Sequence, residues 1–191
     1  MPKIGNDIVD LKLAKTQSNW QRHGFIEKQF TEKEQQEILN SEIPFEKVWL
    51  FWSMKEAAYK CYTQEQEKRF FAPQKFECSL LTDAKGTVFY NNQIFYTQSK
   101  FDAHFVHTVA KNKKAFYIKP KINMYQGFGS ANTVDAEIET KLAALYNLPK
   151  NKVEKRKTKN GAPKFYYQNK LLTSSCSITH HGKYGAFAFM L

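Results

Sequence analysis

The chain has 191 residues, of which 42% are hydrophobic and 15% aromatic, so it carries enough apolar side chain for a folded core and is not an intrinsically disordered protein. Its 29 basic and 18 acidic residues give a net charge of +11, which favours a polyanionic partner such as nucleic acid, a phosphorylated cofactor or an acidic protein. No apolar run approaches the roughly 18 residues that cross a bilayer, no signal-peptide pattern opens the chain, and the three cysteines are too widely spaced for disulfides or zinc. We therefore expect a cytoplasmic protein with reduced thiols and no membrane contact.

The N-terminal segment is predicted to be a short strand. Residues 4–11 alternate weakly between apolar and polar side chains, and the segment carries Asp7 and Asp10. Asp7, beside Gly5 on this strand, and Glu56, on a later helix, are candidates for a magnesium site, because Mg²⁺ on a phosphate substrate takes one or two protein carboxylates. Asp10 would be an outer or alternate ligand. For Asp7 the alternative is an ordinary role in a turn or a helix cap.

Two helices are predicted next, over about 25–40 and about 45–63. Thr31 and Glu34 have the spacing of a capping box, so the first helix starts or restarts there, and Pro44 separates the two. The second helix has a broad apolar face that also contains Glu56 and Lys60, one turn apart. Such a pair suits phosphoryl-transfer chemistry, with the carboxylate for a metal and the lysine for a phosphate. The alternative is a plain surface ion pair.

The middle and the end of the chain alternate between strand and turn patterns. Strands are predicted over 75–81, 87–90, 93–98, 103–110, 115–118, 165–167, 171–178 and 184–191, and a helix follows the cap candidates Asn132 and Thr133 up to Pro149. The basic run 150–159 indicates either a solvated loop or a flap that contacts phosphate. Together these elements predict an α+β fold with an antiparallel sheet packed against helices. We expect one domain over 1–191, in which 70–150 is an insertion or a second subdomain.

Two adjacent histidines stand in a polar break between two apolar strands. Ser177 and Thr179 alternate with apolar neighbours, so they share a strand face with His181, while His180 faces the other way unless the strand ends there. Hydroxyls beside histidine and Gly182 suit contact with phosphate, although a histidine that is merely packed or exposed is the more common case. The chain contains no P-loop, dinucleotide-binding or His-Glu-x-x-His motif.

Three separated blocks resemble the signature blocks of the 4′-phosphopantetheinyl transferases. The blocks are Gly5-x-Asp7, Trp52-Ser53-x-Lys55-Glu56-Ala57-x-x-Lys60 and Ser177-Ile178-Thr179-His180-x-Gly182-x-Tyr184. Their order is similar to that of the short holo-acyl-carrier-protein synthase type, with a large central insertion. The resemblance implies a 4′-phosphopantetheinyl transferase-like fold and transfer of the phosphopantetheine arm of coenzyme A (CoA) to a serine of an apo carrier protein.

The resemblance also implies roles for individual residues. Asp7 and Glu56 would hold Mg²⁺, with Mn²⁺ as an alternative, on the CoA diphosphate, and Asp10 is a weaker candidate for the same site. Lys60 would neutralise charge on the diphosphate with help from Lys55, and Glu56 could accept the serine proton. Contacts to the CoA phosphates are expected from Thr179 and His180.

Some positions depart from the family pattern. The family often has Gly-Lys-Pro where this chain has Gly161-Ala162-Pro163, so a nucleotide-contacting lysine is replaced by alanine. The expected substitutes are Lys164, Lys159 or Arg156. Thr179 stands where serine is usual, and Asn6 where an apolar residue is usual.

The expected partners are CoA and an acidic acyl or peptidyl carrier protein, with fatty acid synthesis as one candidate pathway. One alternative is an inactive family member that only binds CoA or an acidic protein. Another is a basic nucleic-acid-binding module, but that function would leave Asp7 and Glu56 without a purpose, so we expect no nucleic acid. The oligomeric state, monomer or homo-oligomer, stays open, since the insertion could replace the surface of a neighbouring subunit.

Overall fold

The computed structural model describes residues 1–64, 66, 72–112, 121–126 and 131–191, with the backbone alone at 121–126 and 131–133. Numbered in chain order, its elements are β1 (Ile4–Asp10), α1 (Leu11–Gln17), α2 (Phe25–Gln29), α3 (Glu32–Leu39), α4 (Pro44–Thr63), β2 (Glu77–Thr82), β3 (Lys85–Tyr90), β4 (Gln93–Phe101), β5 (Phe105–Lys111), β6 (Lys121–Gln126), α5 (Ala131–Tyr146), β7 (Val153–Lys157), β8 (Pro163–Tyr167), β9 (Lys170–Leu171), β10 (Ser175–His181) and β11 (Tyr184–Met190). The predicted strand at 115–118 lies outside the described residues.

The described strands form antiparallel sheets, which confirms the predicted α+β class. The first sheet has the order β1-β5-β4-β3-β2, the second β10-β11-β6 and the third β7-β8-β9. The segment 70–150 is divided between these layers, since β2–β5 complete the sheet that begins with β1, whereas β6 pairs with β11. Chain segments that are distant in sequence therefore meet along β1, at the edge of the first sheet.

Helix α4 packs across the inner face of the first sheet. Its buried residues join those of β1–β5 in the largest apolar core, which includes Phe51, Met54, Ala57, Val88, Phe95 and Val106. A second core lies under α5 and contains Ile138, Leu142, Phe165, Phe187 and Phe189. Smaller apolar clusters join β1 and β5 to β11, for example Ile8, Phe105 and Ala186. Within the described residues, no helix is long and apolar enough to span a membrane.

Several element boundaries differ from the sequence predictions. The helix predicted over 25–40 is two helices, α2 and α3, and α3 begins at the predicted capping box, where Thr31 and Glu34 each accept the other's backbone N–H. Helix α1 was not predicted, and α5 begins at Ala131, one residue before its predicted cap.

The basic run 150–159 contains a strand rather than only a loop or a flap. Residues Val153–Lys157 form β7, which pairs with β8. Val153 is buried, and the ammonium group of Lys155 binds the carboxylate of Asp135 on α5, while Glu154 and Arg156 are exposed. A strand with one apolar residue can form here because a long lysine side chain covers the helix while its charge is paired.

Candidate active site

Strand β10 lies alongside β1, and its side chains bind the backbone of β1. The outward N–H groups of Ile4, Asn6, Ile8 and Asp10 donate to Ser175 Oγ (3.0 Å), Ser177 Oγ (2.9 Å), Thr179 Oγ1 (3.3 Å) and His181 Nδ1 (2.8 Å). Each acceptor is 171 residues after its donor, so the two strands run in the same direction with matched spacing. We call these four hydrogen bonds the side-chain ladder.

On its other side, β1 lies against α4 at the distance that a glycine permits. A Cβ on Gly5 would stand 2.0 Å from the carbonyl oxygen of Ala57 and 2.6 Å from the amide nitrogen of Cys61. The Ser53 hydroxyl adds a hydrogen bond to the carbonyl oxygen of Asp7 (3.3 Å). Because Asp7 shares a strand face with Gly5, its side chain points towards α4.

The carboxylate of Asp7 is the centre of a polar cluster that draws on β1, α4 and β10. Its Oδ1 accepts from Lys60 Nζ (2.8 Å) and from the Thr179 hydroxyl (3.1 Å), and Lys60 Nζ also reaches Thr179 Oγ1 (3.3 Å). Asp7 is buried, whereas the Lys60 side chain is 29% exposed. The structure therefore brings together three predicted site residues from the two ends and the first third of the chain.

Glu56 stands one helical turn before Lys60 on α4, so its side chain lies on the same side of the helix as the Lys60–Asp7 pair. Burial raises the pKa of the Glu56 carboxyl to about 7, the negative charge of Asp7 raises it further, and Lys60 partly opposes both effects. Two carboxylates that share one lysine leave negative charge uncompensated, which is the environment that a bound cation would relieve. A near-neutral pKa also suits a group that takes up a proton during a reaction.

This donor set fits a hard divalent cation. Among the described residues, no group of three or more His, Cys, Asp or Glu side chains is placed to hold a metal. A cation bound at Asp7 and Glu56 would have these two carboxylates as its protein ligands and would fill its remaining positions with water and substrate oxygens, the pattern that Mg²⁺ prefers with phosphates.

Asp10 is oriented as a helix cap. Its Oδ1 accepts from the amide of Leu13 in the first turn of α1 (3.0 Å), and its Oδ2 accepts from the amide of Lys183 (3.3 Å). Gly182 makes this approach possible, because a Cβ there would stand 2.3 Å from Asp10 Oδ2. A role of Asp10 as a metal ligand stays a prediction.

The structure corrects the prediction that Lys55 contacts the cofactor. Lys55 is fully buried on the far side of α4, where its Nζ pairs with Glu34 (2.7 Å) and donates to the carbonyl oxygens of Pro73 (2.9 Å) and Phe76 (2.6 Å). Every proton of this ammonium group therefore has an acceptor within the protein. Lys55 holds α3 and the segment before β2 against α4.

The two histidines face opposite sides of β10, as the alternation of the strand predicts. His181 belongs to the side-chain ladder, and burial lowers its pKa although Asp7 and Asp10 lie near. His180 is exposed and shares the other face with Cys176 and Ile178. Cys176 and Ile178 both line a cavity, and His180, two residues further along the same strand face, lies just beyond that lining.

That cavity, of about 250 Å³, lies between the end of α4, β10 and the β7–β8 turn. Its lining residues are Tyr59, Lys60, Thr63, Gln64, Asn160, Gly161, Ala162, Pro163, Cys176, Ser177 and Ile178. The amide group of Asn160 donates to the carbonyl oxygen of Thr63 (3.3 Å) and so ties the turn to the helix. Lys60 therefore joins the cavity to the carboxylate cluster.

The predicted substitutes for the missing lysine are placed unequally. Lys164 directly follows the cavity residue Pro163 and is half-buried, and Lys159 is exposed on the turn. Arg156 stands opposite Lys164 in the β7–β8 pair, but its guanidinium binds Glu154 and Asn169 (both 2.8 Å). Two further residues of the cavity wall, Gln64 and Asn160, were not predicted as site residues, since their positions in the sequence gave no local pattern that would have singled them out.

Comparison with known proteins agrees with the first two of the three motif blocks, those around Asp7 and around Glu56. Residues 3–116 match the family model described as the 4′-phosphopantetheinyl transferase superfamily, which covers more than half of the chain. The match includes Asp7, Glu56 and Lys60, whereas β10 and its ladder lie beyond it. No curated protein sequence matches the chain.

Proposed function

Because the chain belongs to the 4′-phosphopantetheinyl transferase superfamily, we propose that it transfers the phosphopantetheine arm of CoA to a serine hydroxyl of an apo carrier protein and releases 3′,5′-ADP. The observation that carries the proposal is the meeting of Asp7, Glu56, Lys60 and Thr179 beside a cavity. An inactive superfamily member that only binds CoA would use the same residues for the diphosphate, so transfer to a carrier is the property that separates the two functions.

In this proposal the reaction is an in-line phosphoryl transfer. The serine oxygen forms a bond to the phosphorus that carries the phosphopantetheine arm, and the bond from that phosphorus to the oxygen shared with 3′,5′-ADP breaks. We assign the serine proton to the Glu56 carboxylate, which takes it directly or through a water molecule. A Mg²⁺ or Mn²⁺ ion held by Asp7 and Glu56 would, when bound, offset the charge of the diphosphate.

Lys60 and Thr179 would bind and orient the diphosphate. The Lys60 side chain is partly exposed between the cavity and Asp7, so its ammonium group can follow the negative charge that builds up on the leaving nucleotide. We place the nucleotide end of CoA in the cavity at the β7–β8 turn, with His180 and Lys164 at its edge. The +11 charge would speed the approach of CoA and of an acidic carrier, and salt would weaken this attraction.

Incubation with CoA, Mg²⁺ and an apo carrier protein should increase the mass of the carrier by about 340 Da, the mass of the transferred phosphopantetheine group. Intact-protein mass spectrometry measures the change, and a carrier whose acceptor serine is replaced by alanine is the control. Unchanged masses across acyl and peptidyl carriers of several pathways would contradict the proposal. Retained CoA binding would then favour an inactive member that only binds CoA. Tight binding of random DNA without affinity for CoA would favour a nucleic-acid-binding module.

The cytoplasmic location stays a prediction.

Ala162→Lys should increase the affinity for CoA several-fold, because it restores a cation to the cavity wall at the place where the family often has lysine. Calorimetric titration with CoA measures the change. Asn151→Lys is the matched control, since Asn151 is exposed before β7, at the other end of the β7–β8 hairpin. Equal gains for both variants would mean that only net charge matters, and would contradict the placement of the nucleotide.

A further inference from the structure

The side-chain ladder replaces the backbone pairing that would normally join two neighbouring strands. In a sheet, backbone bonds set the distance and register of each strand. Along β1 the donors are backbone amides, but the acceptors are side chains only one or two bonds longer than a Cβ. Because serine and threonine hydroxyls have such a short reach, each rung leaves little freedom in how β10 sits against β1.

The four hydrogen bonds of the side-chain ladder differ in length near the polar cluster of Asp7, Glu56, Lys60 and Thr179, which we call the reactive cluster. The Thr179 rung is the longest of the four, at 3.3 Å, because the Thr179 hydroxyl also donates to Asp7 and lies 3.3 Å from Lys60. Its neighbours are shorter, with Ser177 at 2.9 Å and His181 at 2.8 Å. Hydrogen bonds weaken as they lengthen. The two shorter rungs, at Ser177 and His181, therefore fix the position of β10 relative to β1 at Thr179.

The ladder is also connected to α4 at its first rung. Ser175 Oγ accepts from Ile4 and donates to the side-chain oxygen of Gln64 (2.7 Å), and the amide nitrogen of Gln64 donates to the carbonyl oxygen of Ile4 (2.5 Å). Strand β10, strand β1 and helix α4 are thus held at Ser175 and again at Thr179. Ser177 is the rung between these two points, and it is 4% exposed.

We propose that Ser177 is a positioning residue for the reactive cluster: by accepting the Asn6 N–H, it holds β10 in the position relative to β1 at which the Thr179 hydroxyl meets Asp7. This inference rests on the proposed function for the reaction that the cluster performs. Ser177 acts through its neighbours, since its observed partner is the backbone of Asn6, the residue before Asp7.

The test compares three variants of the full chain. Ser177→Ala removes the rung and leaves a buried N–H without an acceptor. Ser177→Thr keeps the hydroxyl on a residue type that strands accommodate well. Ser174→Ala is the control, because Ser174 lies just before β10 and its hydroxyl donates to the carbonyl oxygen of Leu191, outside the ladder.

Three measurements separate positioning from general stability. Amide hydrogen exchange at Asn6 and Ile8 reports the ladder itself, electron paramagnetic resonance with Mn²⁺ reports the carboxylate cluster, and the carrier-mass assay reports kcat and KM. For Ser177→Ala we expect about tenfold faster exchange at both amides, several-fold weaker Mn²⁺ binding and about a tenfold lower kcat, with KM for CoA within about twofold. Ser177→Thr should recover most of each loss, and Ser174→Ala should match the wild type.

Other results would overturn the proposal. A lower melting temperature with unchanged exchange at Ile8 and unchanged Mn²⁺ binding would make Ser177 merely structural. A higher KM for CoA alone would make it a direct contact in the cavity. Absence of Mn²⁺ binding in the wild type would remove the cluster that Ser177 is proposed to position. If the wild type binds Mn²⁺ but transfers nothing to any carrier, the proposed function fails, while exchange and Mn²⁺ binding still decide the role of Ser177.

Discussion

Glu56→Gln should lower the transfer rate by about 10³-fold, because glutamine cannot accept the serine proton and is a poorer ligand for a divalent cation. The same change should make the protein more stable at pH 8. The wild-type carboxyl has a pKa of about 7 in the folded chain, against 4.5 for the free group. At pH 8 it is therefore ionised in a buried site beside Asp7, and the free-energy cost of that charge lowers the stability of the fold. A variant that is inactive yet more stable would mark Glu56 as a residue retained for function.

The sign of the pH dependence follows from proton binding. Between pH 4.5 and about 7 the folded chain holds the Glu56 proton more tightly than the unfolded chain, so the free energy of unfolding falls as pH rises through this window. Above it the full cost is present, about 2 kcal/mol after allowing for partial solvent contact, and glutamine removes it. Below pH 4.5 both side chains are neutral, and the two proteins should be similarly stable.

Urea unfolding at pH 4.5 and pH 8, with a chelator present to remove divalent cations, measures this difference. Glu42→Gln is the control, since Glu42 is exposed just before α4 and should leave both activity and stability unchanged. A Glu56→Gln protein that is less stable at both pH values would mean that the carboxylate is compensated in the fold. Full transfer activity would remove Glu56 from the reaction.

Gly5→Ala should destabilise the protein by about 3 kcal/mol and lower transfer by about 10²-fold. The added Cβ would overlap two backbone atoms of α4, the carbonyl oxygen of Ala57 and the amide nitrogen of Cys61. Because both atoms belong to the helix backbone, α4 cannot relieve the overlap by a local movement. Strand β1 must therefore move away from α4, which separates Asp7 from Glu56 and Lys60.

Urea unfolding and the carrier-mass assay measure the two effects. Gly24→Ala is the control, because a Cβ there meets only the Lys28 side chain at 3.8 Å, while its φ of +76° still carries the strain of a left-handed residue. We expect a loss of about 1 kcal/mol and unchanged activity for this variant. If Gly5→Ala is no more disruptive than Gly24→Ala, the close approach of β1 to α4 does not position the site.

Much of the site could be predicted where the signal is local. The capping box at Thr31 begins α3 as predicted, and the alternation of β10 correctly placed Thr179 and His181 on one face with His180 on the other. The motif blocks identified Asp7 and Lys60, which the fold joins in one ion pair. By contrast, β7 escaped prediction because one buried valine and a paired lysine provide its packing, and neither produces an apolar period.

The sequence by itself determined the family and the chemical character of the cluster, because both reside in short blocks of residues at set spacing. Only the tertiary structure decided which ionisable groups meet in the polar cluster around Asp7. Lys55 and Lys60 lie five residues apart on α4, about 140° around the helix axis, so one of them faces the buried Glu34 and the other faces Asp7. Spacing alone does not say which face meets β1. The close contact at Gly5 and the side-chain ladder to β10 decide it, since both depend on residues brought together from opposite ends of the chain.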